Sequence, residues 1–255
     1  MIISVINHTE HLSDEEVQSA VRAVNRQVAD DFEPYWSLGA RLRLEGRSPG
    51  APKTMDPPDM RGDAVLYLWD QADVKDAIGY HERNNDGIPY GFVFTEIARD
   101  LGESWTVTLS HEVLEMIGDP DVNLLVMGAH PDPKQKRDVF HWFEMCDAVQ
   151  AEPYLIDGVA VSNFVLPLYF TGGDETGGRN DFLAVAKGRR RLRSFGVNPG
   201  AYIGFYDPVL GKHRTYEMEG DPTAARRRKI KLALKQSRRA CRYQRFETKR
   251  RRRRS

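Results

Sequence analysis

The residue types best suited to chemistry cluster in S-W-T-V-T-L-S-H-E-V-L-E-M-I-G-D-P-D, from Ser104 to Asp121. On an α-helix, His111 and Glu115 stand four residues apart and project from one face, with Glu112 next to His111. This is the spacing of the H-E-x-x-H zinc helix with glutamate in place of the second histidine. An imidazole and a carboxylate provide two donors, and a catalytic ion commonly takes three, leaving a position for water. Four acids compete for the third place: Asp119, Asp121, Glu144 and Asp147. Asp121 lies ten residues after His111 with Gly118 between them, a spacing at which a third ligand can follow such a helix. Glu144 and Asp147 share the segment E-M-C-D, beside Phe140, Trp142 and Phe143. His141 is another possible ligand, although a single histidine among aromatics more often belongs to the core.

In such a site Glu112 is the natural general base, taking a proton from water activated by the ion. One imidazole and two carboxylates neutralise a divalent charge, which two imidazoles and one carboxylate do not. The expected ion is Zn2+, and the extra carboxylate tilts preference toward Mn2+ or Fe2+ while weakening the Lewis acid. Peptide hydrolysis therefore does not follow from the motif alone.

The elements that must position these groups are legible in outline. Ser104 is a candidate N-cap, and Gly118 with Pro120 is a stop signal. Between them an apolar arc of Trp105, Val107, Leu109, Val113, Leu114, Met116 and Ile117 leaves Thr108, His111, Glu112 and Glu115 on a narrow polar stripe. That stripe carries no lysine or arginine, unlike the usual solvated helix face. Upstream, Ile2 to Ile6 reads as a buried strand. A helix follows from a Ser13/Glu16 capping box to near Asp31. Leu38 to Leu44, Ala64 to Trp69 and Tyr90 to Ile97 read as further strands, with a Pro/Gly-rich loop from Gly46 to Arg61 and an N-N-D-G turn signal before Pro89. Downstream, Tyr154 to Val165 reads as a hairpin turning at Asp157-Gly158, and Tyr202 to Met218 as a second one turning near Asp207 to Gly211.

Composition divides the chain in two. Residues 221–255 hold 16 Lys+Arg against Asp221 and Glu247, a net of +14, so residues 1–220 carry −14. The expectation is one domain over 1–220 and a basic, partly disordered tail over 221–255. Arg226, Arg227, Arg228, Arg250, Arg251 and Arg252 mark the blocks suited to nucleic acid or another polyanion. The block Lys187 to Arg193 adds a second basic patch. Two distant cysteines, Cys146 and Cys241, make no disulfide framework. The start has no basic n-region and no apolar run is long enough to span a bilayer, so a cytoplasmic protein is expected.

The pattern H-E-x-x-E, then D-P, then E-x-x-D resembles that of a zincin-like metallopeptidase family known from poorly characterised bacterial and phage proteins, and more distantly exordium-like plant proteins. The matching positions are His111, Glu112, Glu115, Asp119, Pro120, Asn123, Glu144 and Asp147, in two short blocks. The order of strand, helix, three strands and metal helix is likewise similar to the N-terminal half of zincins. There a mixed sheet supports the metal helix and an edge strand lines the cleft, a role that falls here on Tyr90 to Ile97. The resemblance implies an α+β fold: a zincin-like mixed sheet with a metal-site helix, then β-hairpins and the basic tail. It implies ligation by His111, Glu115 and Glu144, with Asp147 and Asp119 orienting His111 or closing the helix end. The expected activity is hydrolysis of a peptide or small-molecule substrate. The alternative is a catalytically silent zincin-like body whose tail attaches it to a polyanion.

Overall fold

The computed structural model describes residues 1–47, 62–70, 79–84, 86–171, 180–187 and 192–219. The expectations for the tail arginines, for most of Gly46 to Arg61 and for the centre of the Lys187 to Arg193 block fall outside these residues.

The chain is mixed α and β. Strand β1 (Ile2–Asn7) enters the core directly, and α1 (Asp14–Arg26) starts at the expected capping box, in which Ser13 and Glu16 satisfy each other's backbone N–H. A π-helical turn (Gln27–Phe32) and a short α2 (Glu33–Trp36) prolong it until Ser37 takes a left-handed conformation. Strands β2 (Arg41–Arg47), β3 (Ala64–Trp69), β4 (Gly79–Arg83) and β5 (Pro89–Phe94) follow, then α3 (Thr95–Asp100) and α4 (Trp105–Gly118).

These strands form one sheet in the order β2-β1-β3-β5-β4. Its pairs are parallel except β4 with β5, which is antiparallel. Strand β5 is shorter than the expected Tyr90 to Ile97, because Thr95 onward turns into α3. It also lies inside the sheet, and the edge belongs to β4, which the sequence pattern did not reveal. The two-residue period of a strand sorts the faces. Tyr67, Tyr80, Tyr90, Phe92 and Phe94 build an aromatic layer on one side, with Val65 packed among them. Leu66, Leu68 and Val93 pack on the other with α1 and with Leu109 and Val113 of α4.

Beyond α4 come β6 (Leu125–Ala129) and β7 (Asp138–Trp142), a 3-10 turn (Asp147–Val149), the hairpin β8 (Tyr154–Ile156) and β9 (Val159–Val161), α5 (Phe182–Lys187), and β10 (Tyr202–Asp207) with β11 (Lys212–Glu217). Both expected hairpins are present, and the first turns through Asp157 and Gly158 at positive φ. The second joins β7 and β6 in an antiparallel sheet of order β11-β10-β7-β6. Among the described residues no helix is long and apolar enough to cross a membrane.

His141 in β7 lies in the core of this second sheet, fully buried, with its ring stacked on Phe195 and Nε2 2.9 Å from the Ala129 carbonyl oxygen. Burial pushes it down from 6.5 to about 4. The neutral ring is thus the folded form, and its contribution is whole above 6.5 and lost as pH falls toward 4. Between pH 7 and 4.5 the wild type should lose on the order of 2 kcal/mol more stability than His141→Gln, read from urea midpoints at both pH values.

Candidate metal centre

Helix α4 is capped by Ser104, whose side chain accepts from the Thr106 N–H, and ends at Asp119, whose N–H returns to the Glu115 carbonyl. The polar stripe faces inward: Thr108, Glu112 and Glu115 are buried and His111 is 13% exposed. Burying charged groups costs several kcal/mol each unless partners replace water, so the helix must be held in one rotation. Ser110 does much of this from the opposite flank. Its hydroxyl donates to Gln27 Oε1 at 2.7 Å and accepts the Ser162 N–H at 2.9 Å, while Gln27 Nε2 donates to the Ser162 carbonyl. Thr106 adds a bond to the Ala160 carbonyl on β9.

Two groups of donors result. In the first, His111 Nε2 lies 3.3 Å from Glu115 Oε1 and 3.4 Å from Asp147 Oδ1. Asp147 arrives on the 3-10 turn, and the neighbouring Cys146 N–H donates to Glu115 Oε1 at 3.2 Å. In the second, His81 Nδ1 of β4 lies 3.2 Å from Glu112 Oε2 and 3.9 Å from Glu115 Oε2. Within each group the donor atoms fall within 4.8 Å of one another. Glu115 belongs to both and directs one oxygen to each.

The first set of distances is one that a small metal ion can bridge. Charge-assisted N–H···O bonds contract to about 2.7–2.9 Å. Donors at roughly 2.0–2.2 Å from a tetrahedral ion stand about 3.3–3.6 Å apart. One nitrogen and two carboxylate oxygens also balance a divalent charge. Without an ion, burial disfavours the His111 imidazolium. The Glu115 charge, the hydrogen bonds to Asp147 and Glu115, and the Glu112 charge outweigh this and hold its pKa well above the ordinary range. Burial, reinforced by the Glu115 charge, raises the Cys146 thiol. Cys146 thus serves the group through its backbone.

Of the acids considered as third ligand, Asp147 is the one brought to His111 and Glu115. Glu144 is half-buried and lies in neither donor group. Asp119 is structural: its Oδ2 accepts the Leu124 N–H and its carbonyl the Val122 N–H beyond the helix end. Asp121 forms a surface ion pair with Arg83 at 2.9 Å. His81 was missed. Its available signal was the alternation of Gly79, His81 and Arg83 against Tyr80, which reads as a short strand once its antiparallel partner is known. No protein-family model matches this chain, and neither a curated protein nor a solved structure shows significant similarity to it.

Gly79 explains how β4 comes close enough. A Cβ there would stand 2.5 Å from Thr108 Cγ2, 2.9 Å from the Phe92 carbonyl oxygen and 3.1 Å from Glu112 Oε1. Gly79→Ala should therefore push β4 off α4 and cost about 1–3 kcal/mol. Thr108→Ser, which deletes the nearest methyl, should recover part of that loss in a double-mutant cycle followed by thermal unfolding. Additive effects would show that the two elements do not touch as described.

Proposed function

We propose that the chain is a metal-dependent hydrolase of zincin type, peptidase-like in its chemistry, with His111, Glu115 and Asp147 as the ligands. The observation that carries this reading is the convergence of His111 and Glu115, on the polar stripe of a helix otherwise packed in the core, with Asp147 from the 3-10 turn, all beside Glu112. A sheet of parallel strands closed by an antiparallel edge strand next to that helix supports the zincin-like comparison. Zn2+ suits a small set of one imidazole and two carboxylates, and the two carboxylates keep Mn2+ or Fe2+ in contention.

His111, Glu115 and Asp147 would hold a divalent ion that, when bound, would supply the Lewis acidity to polarise a carbonyl and acidify water. The chain's own part is proton handling and enclosure. Glu112 is fixed by His81 at one oxygen and approaches the Gly79 backbone with the other. It stands next to the donors on the same stripe, placed to take the proton of the attacking water and return it to the leaving group. Enclosure by α4, β4 and the Asp147 turn keeps bulk water from screening these charges. The Arg-rich segment from Arg226 to Arg254 is, by its composition, suited to hold this acidic body near nucleic acid or another polyanion.

Metal analysis after dialysis and zinc reconstitution tests the assignment. Wild type and Glu144→Ala should retain one tightly held equivalent, whereas His111→Ala and Asp147→Asn should lose it. Glu112→Gln should keep the ion and lose hydrolysis of a mixed peptide substrate. A wild type that binds no ion would overturn the reading. Retention by Asp147→Asn with loss in Glu144→Ala would transfer the third ligand to Glu144.

A further inference from the structure

We propose a second divalent-cation site in the same enclosure, built from His81 Nδ1, Glu112 Oε2 and Glu115 Oε2, so that Glu115 bridges two ions. The inference rests on the His111 site as its first half. Three observations support it. The Glu115 carboxylate already divides its oxygens between two imidazoles, at 3.3 Å from His111 and 3.9 Å from His81. The three donors of the second group are all at least nine-tenths buried, and they come from two elements packed on each other. The close approach that brings them together depends on a glycine, since a Cβ at position 79 would crowd Glu112 itself.

The two sites differ in readiness. In the first, both donor separations from the imidazole, 3.3 and 3.4 Å, match the edge of a tetrahedron around a small ion. In the second, His81 to Glu112 at 3.2 Å is close to that edge, but His81 to Glu115 at 3.9 Å is wider by about half an ångström. The second ion must therefore draw Glu115 or His81 inward. It must also enter against the charge of the first, in a setting where little water screens the repulsion. Binding is consequently sequential, tight then weak, with one carboxylate common to both steps.

Occupation of the second site has a chemical consequence. Glu112 Oε2 becomes a ligand, and the carboxylate can no longer act as the base assigned to it above. The same pocket is then competent at one equivalent of metal and blocked at excess, which gives metal concentration itself control over the site.

The test is calorimetric titration of dialysed full-length protein with Zn2+, beside His81→Asn and Glu112→Gln. Wild type should show two steps, the second at least tenfold weaker. Both variants, in which a neutral polar amide replaces the donor group, should keep the first step and lose the second. The retained first step shows at the same time that they are folded. A wild type with one step up to millimolar zinc would overturn the second site and leave the first intact. A second step that survives in both variants would place the weaker ion elsewhere and overturn it equally. Absence of any step in wild type would instead refute the His111 site, and this one with it.

Discussion

Three carboxylates and two imidazoles share one small volume beneath a helix, and this concentration of titratable groups is the constraint on which the rest depends. Glu112, Glu115 and Asp147 are each buried, as is His81, and His111 is nearly so. Withdrawing charges from water costs several kcal/mol apiece unless well-placed partners compensate. Helix α4 turns its polar stripe inward because those partners are supplied from β4 and from the Asp147 turn. The remaining features can be read as devices for keeping them in register.

Those devices come from distant parts of the chain. The π-helical turn after α1 delivers Gln27 to Ser110 and Ser162, and so locks α4 and β9 to the end of the first helix. The glycine at 79 admits β4 to contact with α4. At the other end Asp119 gathers the chain as it leaves α4, with Glu115 one turn behind it. A donor set assembled from three separate segments is rigid only if all three are tied, which is why so much polar structure stands around so few reactive atoms.

Much of this was readable from the sequence, and the parts that were not fail for physical reasons. The capping box at Ser13, the extent of α4, the strand Ala64 to Trp69 and both hairpins have local causes, and each is present as expected. The pair His111 and Glu115 follows from helical spacing alone. The choice between Glu144 and Asp147 does not, because E-M-C-D leads into a 3-10 turn with too few residues to set a period. Strand β4 is five residues long and gains its identity from pairing with β5, a relation that local pattern does not encode. With it His81 was lost. Helical spacing thus encodes the helix-borne half of the candidate site, while the other half arrives through tertiary packing that no local pattern carries.

In the proposed site, one imidazole and two carboxylates from α4 and the Asp147 turn hold the first ion. X-ray absorption at the zinc edge, on protein loaded with a single equivalent, addresses it directly. The expected spectrum has a first shell of nitrogen and oxygen at roughly 2.0–2.2 Å with the outer scattering of a single imidazole. A sulfur neighbour near 2.3 Å, or scattering from several imidazoles at that loading, would contradict it.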